Sequence, residues 1–214
     1  MTERIAPTET VSLRHLLGGR RGALDASVPP AAFVVGWLIS GRSIAWGAGV
    51  AVAAGVLIGA LRLARGHRIT AVLASVAVVA AGALIAVYTG RAQDFFLVQL
   101  LANIASALAW AVSILVRWPL LGLVVGALLG QKTRWRRDSG LLRAYGRASW
   151  VWVGQYLVRV LVYGSLWLSG EVVALGVARV ALSWPLVAAT VAASALVFQR
   201  SLPPDHPGIR RPST

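Results

Sequence analysis

Cysteine is absent from this sequence, and charged side chains are scarce in it. The lack of cysteine excludes disulfides, cysteine-ligated metals, iron–sulfur clusters and thiol nucleophiles. Only 13% of the 214 residues are charged, whereas 57% are hydrophobic and the mean hydropathy is +0.72. A soluble domain of this length needs a polar surface that so few charges cannot supply. We therefore expect lipid, rather than water, to surround most of the chain.

Acidic residues are the scarcer of the two charge types, 7 against 21 basic residues, which gives a formal net charge of +14. A strongly basic chain can bind nucleic acid. Here, however, the basic residues cluster between apolar runs, as in the cytoplasmic loops of multi-pass membrane proteins, so we expect no nucleic-acid partner. Only Asp25, Asp94 and Glu171 lie close to membrane depth. A cation carrier that works through buried carboxylates is therefore disfavoured.

Six apolar runs predict an all-α fold, a polytopic bundle of about six transmembrane helices in residues 23–199. The fourth run is too long for one span of about 20 residues, and Arg117, Trp118 and Pro119 interrupt it. We expect a proline break there, because Pro119 removes a backbone donor, followed by a short helix over 119–130 that is re-entrant or interfacial. The runs are 27–41, 43–61, 69–88, 94–130, 147–168 and 172–198.

The distribution of basic residues predicts how the bundle is oriented. Residues 1–22 form a basic N-terminal arm, and residues 200–214 form a tail that we expect to be disordered. With both termini in the cytoplasm, 16 basic residues lie on the cytoplasmic side and two, Arg42 and Arg91, lie outside. The prediction is a multi-pass protein of the plasma membrane with a cytoplasmic N-terminus and C-terminus.

Ionisable side chains at membrane depth are costly, so each needs a physical reason. Arg159 lies near the middle of the fifth run and is the first candidate. Two interpretations stay open: the arginines tie helices together by bonding carbonyls or carboxylates, or they line a pathway. A Trp-Pro-Leu motif occurs twice, at 118–120 and 184–186, and discontinuous helices in transporters accompany binding sites. The candidate binding or pathway residues are Arg159, Arg117, Arg179, Asp94, Glu171, Trp118 and Trp184.

The densest run of charge is a predicted cytoplasmic loop that contains Arg134, Arg136 and Arg137. This loop could bind anionic lipid headgroups or an acidic partner, at about 1 kcal/mol per basic residue near a membrane surface. It could equally serve only to fix the topology.

The sequence contains no H-E-x-x-H, G-x-S-x-G, P-loop or dinucleotide fingerprint. We therefore predict that the protein is not an enzyme, and we assign it no catalytic residue, metal ligand or cofactor. Gly55 and Gly59 form a G-x-x-x-G motif, which favours close helix packing, with homodimerisation as one form of it.

Several short motifs follow one another in a fixed order over about residues 11–198. They are Leu17-Gly18-Gly19-Arg20-Arg21-Gly22, Thr89-Gly90 with Phe95-Phe96, Val116-Arg117-Trp118-Pro119-Leu120, Trp135-Arg136-x-Asp138, Leu141-Leu142-Arg143-Ala144-Tyr145 and Trp184-Pro185-Leu186. In this order they resemble the DUF3159 family of uncharacterised actinobacterial integral membrane proteins. That family is distantly similar to membrane proteins of the intracellular septation protein A type. The resemblance implies an envelope protein and names no reaction.

These observations favour a non-enzymatic accessory or scaffold component of the cell envelope or of a transport system. The alternative is a small transporter or channel for an anion or another small solute, with a pathway lined by the intramembrane arginines. The expected partners are the lipid bilayer, anionic lipid headgroups, and a second copy of the chain or a membrane partner protein.

Overall fold

The computed structural model describes residues 19–130 and 133–202, and the secondary structure of these residues is helical, without a strand. The expected all-α bundle is therefore confirmed. Single 3₁₀ turns occur at Ala92–Phe96 and Arg134–Arg136. The helices are α1 (Gly19–Ile39), α2 (Ile44–Ala64), α3 (Ile69–Thr89), α4 (Leu97–Leu115), α5 (Leu120–Leu128), α6 (Ser139–Leu168), α7 (Val172–Ala181) and α8 (Trp184–Ser201).

Four helical segments are long and apolar enough to cross a membrane: α2, α3, Ala92–Leu115 and α6. Helices α7 and α8 meet at a bend of 42° and together could form a fifth span. The apolar part of α1, Ser27–Ile39, is shorter than these. The chain is thus a helical transmembrane protein, and residues 19–130 and 133–202 contain four or five full-length spans where the sequence predicted about six.

Glycines allow the first three helices to approach one another closely. A Cβ atom at Gly47 of α2 would lie 3.0 Å from the carbonyl oxygen of Phe33 in α1. On the other face of α2, a Cβ atom at Gly59 would lie 3.0 Å from the Val72 side chain of α3, and one at Gly55 would lie 3.6 Å from Val79. The G-x-x-x-G motif therefore serves a helix contact within the chain.

The helices run up and down, so that their connections gather at two ends of the bundle. One end holds residues 62–68, 116–130 and 133–147, and we call it the basic end; there Arg62 Nε lies 3.3 Å from Asp25 Oδ2. The opposite end holds the turns at 40–43, 90–96 and 169–171. A buried aromatic cluster joins α1 to the first 3₁₀ turn, where Phe33 stacks on Phe95 with ring centroids 4.1 Å apart.

Two helices differ from the expected runs for identifiable reasons. Helix α6 begins at Ser139 rather than near 147, because the Asp138 side chain caps its first turn. The sixth run is divided into α7 and α8, and Pro185 lies in the first turn of α8, where a missing N–H costs nothing. The expected break at Pro119 is confirmed, since α4 ends at Leu115 and α5 begins at Leu120.

Helix α5 has nine residues and spans about 14 Å, roughly half of a hydrocarbon core, so it does not cross a membrane by itself. The re-entrant and interfacial placements of residues 119–130 both stay predictions. Most of the predicted N-terminal arm, residues 1–22, and most of the predicted tail, residues 200–214, lie outside the described residues.

Candidate functional site

The basic end is organised around one buried tryptophan, Trp135, whose side chain is 0% exposed. Its ring lies on α5 at Gly122, where a Cβ atom would approach two ring carbons to 2.8 Å. The ring also meets Tyr145 of α6 edge-on, with centroids 5.5 Å apart, and Tyr145 packs on Phe198 of α8. This cluster fixes the short segment between α5 and α6 to three helices.

Asp138 fixes the same segment from its other side. Its carboxylate accepts hydrogen bonds from the backbone N–H groups of Gly140 at 2.9 Å and Leu141 at 3.1 Å. This is N-terminal capping, which satisfies donors that a helix cannot satisfy internally and is worth about 1 kcal/mol. The carboxylate is buried. The start of α6 and the turn before it therefore form one unit.

The arginines of this unit take two different environments. Arg136 is half-buried, and its Cζ lies 3.8 Å above the ring of Trp118, a cation–π contact with the residue that precedes the proline break. Arg134 and Arg137 are exposed. We call residues 133–147 the basic platform; its exposed arginines are Arg134, Arg137, Arg143 and Arg147. Ring contacts and hydrogen bonds therefore connect the platform to the neighbouring helices.

Arg117 lies beside the platform, directly after α4, and its side chain is exposed. Its φ is 58°, in the left-handed region that favours glycine. The C-terminal end of α4 stabilises this conformation, because the N–H of Trp118 donates a hydrogen bond to the carbonyl of Ser113 at 2.8 Å. Arg117 thus belongs to the basic end and not to the interior of the bundle.

Arg159 is half-buried within α6, and its guanidinium is engaged by backbone carbonyls. Nε and Nη2 donate to the carbonyl oxygen of Leu182 at 3.1 and 2.8 Å, and Nη2 also donates to that of Ser183 at 3.2 Å. These two carbonyl groups lie at the bend, directly after the last residue of α7, and α8 begins at the next residue, Trp184. Carbonyls freed at a helix break need donors, and Arg159 supplies them from a neighbouring helix.

Arg179 of α7 is half-buried and forms no hydrogen bond or ion pair with any part of the chain that the structure describes. It borders a small cavity of about 40 Å³, together with Phe95 and Gln99. It lies close enough to Arg159 for the two charges to interact. Glu171, two turns earlier, is exposed and does not pair with it. Arg179 thus borders a cavity and Arg159 binds backbone carbonyls at the bend, whereas Arg117 lies at the basic end.

Asp94 lies at the opposite end of the bundle, in the 3₁₀ turn before α4, and is buried. Its Oδ1 accepts a hydrogen bond from Trp167 Nε1 at 2.9 Å, and Arg91 lies over the same tryptophan ring at 5.1 Å. Asp94 therefore joins the start of α4 to the end of α6. Glu171 lies at the same end of the bundle, in the turn at residues 169–171 between α6 and α7.

Sequence reasoning missed a row of buried polar side chains on α6. Gln155 accepts a hydrogen bond from Thr190 of α8 at 3.2 Å, and Ser194 of α8 donates to the carbonyl of Ala148. Trp152 stacks on Trp110 of α4 at 5.0 Å. Polar residues spaced three and four apart on an apolar helix are the signal that would have found this face. It joins α6 to both of its long neighbours.

The apolar spans and the polar interior define the class of this protein, a polytopic helical membrane protein with a basic platform at one end. Residues 17–205 match a family described as a protein of unknown function (DUF3159), and the chain belongs to this family. No curated protein and no solved structure matches the chain. The more distant similarity to septation protein A stays a prediction.

Proposed function

We propose that this protein is a non-enzymatic accessory or scaffold component of the plasma membrane, with both termini in the cytoplasm. In this proposal the basic platform docks an acidic segment of a membrane partner protein, as a component of the cell envelope or of a transport system. The observation that carries the proposal is the exposure of Arg134 and Arg137 on a segment that is fixed at Trp135 and Asp138.

Preorganisation supports docking rather than a role in topology alone. A topology determinant needs only charge, and a flexible loop would supply it equally well. Here one arginine of the turn rests on Trp118, and one tryptophan is buried against Gly122. Rigid presentation lowers the entropy lost on binding and therefore favours recognition. Within the described residues, neither Arg134 nor Arg137 forms an ion pair.

The environment of Arg159 supports a packing role for the most deeply placed arginine. Its donors are directed at the carbonyls of Leu182 and Ser183, which belong to the protein and not to a solute. The further partners in this proposal are anionic lipid headgroups at the basic end and a second copy of the chain.

The test is site-specific photo-crosslinking in cells, with Thr133→p-benzoylphenylalanine beside the platform. We expect one discrete crosslinked protein, identified by mass spectrometry. At about 1 kcal/mol for each basic residue, Arg134→Glu with Arg137→Glu should lower its yield by about tenfold or more. The matched control is Arg42→Glu with Arg91→Glu, the same charge change at two exposed arginines of the opposite end. A yield that is equal in both double variants contradicts docking at the platform.

A second candidate, a small transporter or channel for an anion, is favoured by Arg179, whose charge borders a cavity without an acceptor among the described residues. Ionisable groups in this setting often mark solute pathways. Proteoliposomes should then conduct chloride, and Arg179→Gln should abolish the flux while Arg147→Gln, an exposed position, preserves it. Wild-type protein that passes neither chloride nor phosphate rules this candidate out.

A further inference from the structure

A groove of about 340 Å³ lies at the basic end, between the proline break and the start of α6. Its lining combines two arginines, Arg117 and Arg143, with the apolar side chains of Ile114, Pro119 and Leu142. Its volume falls in the range of small-molecule sites, about 300–1,000 Å³. The lining is amphipathic: apolar surface is joined to two positive charges.

The lengths of the neighbouring helices favour a position for this groove at the depth of the lipid headgroups. Helix α6 has 30 residues and is therefore about 45 Å long, whereas a hydrocarbon core is about 30 Å thick. At least one end of α6 therefore extends beyond the hydrocarbon, and the charges of Arg143 and Arg147 favour its first turns. The span Ala92–Leu115 ends two residues before Arg117. Arg117 thus lies just outside the apolar segment Ala92–Leu115, and Arg143 lies in the first turns of α6.

Both guanidinium groups are available to an anion. Arg117 and Arg143 are exposed, and neither forms an ion pair within the described part of the chain. Arg143 uses only its Nε, which donates to the carbonyl of Ser139 at 3.2 Å, so that its terminal nitrogens are not engaged. The nearby carboxylate of Asp138 caps the first amide groups of α6.

The backbone conformation of Arg117 is unusual for a residue with a side chain. Seven described residues have a positive φ, and five of them are glycines. The other two are Arg117, at 58°, and Arg42, at 71°. A glycine would adopt this conformation freely, so an arginine there carries a conformational cost. An observed strained residue is a reason to look for a function of its side chain.

We propose that this groove is a binding site for an anionic phospholipid, with the phosphate held by Arg117 and Arg143. The glycerol and upper acyl chain lie on Ile114, Pro119 and Leu142. Arginine guanidinium groups form charge-assisted hydrogen bonds with phosphate oxygens, and the two that line this groove together hold one phosphate. The apolar floor selects a lipid over a free anion.

This site rests on one part of the proposed function, the binding of anionic lipid headgroups at the basic end, and does not require the docking of a partner protein. Docking uses Arg134 and Arg137, whereas lipid binding uses Arg117 and Arg143. The two can fail separately: Arg134→Glu with Arg137→Glu should leave the high-affinity lipid in place, and loss of the groove lipid should leave the crosslink to a partner detectable.

The test is native mass spectrometry of the purified protein in detergent, titrated with phosphatidylglycerol, phosphatidylcholine or inorganic phosphate. We expect one phosphatidylglycerol to bind more tightly than the rest, with about tenfold preference over phosphatidylcholine. Arg117→Gly and Arg143→Gln should each weaken this binding about tenfold, the loss of one charged hydrogen-bonding group. Arg42→Gly is the matched control, because it removes the same charge from the same backbone conformation at the opposite end.

Arg117→Gly also separates binding from folding, since glycine accepts the left-handed conformation and the lipid-free thermal midpoint should not fall. Unchanged phosphatidylglycerol binding in Arg117→Gly overturns the proposal. So does an equal loss in Arg42→Gly, which would indicate a nonspecific charge effect. Equal binding of phosphatidylcholine, or displacement of the lipid by millimolar inorganic phosphate, would show that the site does not select an anionic lipid.

Discussion

The contact between Trp135 and Gly122 makes a quantitative prediction about what holds the basic end together. A Cβ atom at position 122 would lie 2.8 Å from two carbons of the Trp135 ring and 3.0 Å from a third. Favourable carbon contacts lie at about 3.5–4.0 Å, so the ring must move by most of an ångström. It is fully buried and held edge-on by Tyr145, so it has little freedom to move.

We therefore expect Gly122→Ala to lower the free energy of unfolding by about 1–3 kcal/mol, the usual cost of overpacking. Gly154→Ala in α6 is the matched control, since a Cβ atom there meets nothing within 4 Å. That substitution should be neutral, or stabilising by up to about 1 kcal/mol, because alanine favours a helix. The measurement is unfolding of the purified protein by titration from a mild detergent into dodecyl sulfate.

A double-mutant cycle identifies the clash itself. Trp135→Phe removes the ring carbons that face Gly122, so in that background Gly122→Ala should cost less than it does alone. We expect a coupling free energy of at least about 0.5 kcal/mol between the two sites. If the two substitutions are additive, or if Gly122→Ala is as harmless as Gly154→Ala, the ring does not rest on position 122 and the platform is not fixed as we describe.

Two further predictions concern the bend and the orientation. Arg159→Gln should lower the free energy of unfolding by about 2–3 kcal/mol, because the carbonyls at the end of α7 lose a charged donor. The control is Arg147→Gln, an exposed position on the same helix, which should change the free energy of unfolding by less than about 0.5 kcal/mol. Equal effects of the two substitutions would contradict the capping role of Arg159. Since the chain has no cysteine, Glu171→Cys in intact cells should react with a membrane-impermeant maleimide and Thr133→Cys should not; the reverse pattern would invert the proposed topology.

The sequence predicts the spans well where hydrophobicity alone determines them. The expected runs 43–61 and 69–88 correspond closely to α2 and α3, because the apolar stretch between two basic or glycine-containing turns fixes both ends. The sequence also predicts the break at Pro119, because proline lacks the backbone N–H donor that a continuous helix requires. Pro29 and Pro30 did not break α1, which continues through both residues. Tertiary packing overrides a local preference there, as both prolines are buried.

The contacts of the candidate site could not be predicted, because their partners are distant in sequence. Arg159 stands 23 residues before the Leu182 carbonyl that it caps, and Trp167 stands 73 residues after Asp94. Nothing in the local pattern specifies either pairing. The same holds for Trp135, whose neighbours come from α5, α6 and α8. Asp138 is the exception, since an aspartate directly before a helix is a recognisable N-terminal cap, and its capping explains why α6 begins eight residues earlier than expected.

The platform and the groove share one structural support, and this gives their two proposed roles a specific relation. The start of α6 forms one wall of the groove and also carries the platform, and both depend on the packing of Trp135 against α5. Arg117 also lines the groove, but within the described residues it forms no hydrogen bond or ring contact with that packing. Gly122→Ala should therefore weaken phosphatidylglycerol binding and partner crosslinking together. Arg117→Gly should weaken lipid binding alone. If Arg117→Gly also removed the crosslink, the lipid itself would be part of the docking surface, and the two sites would have to be treated as one.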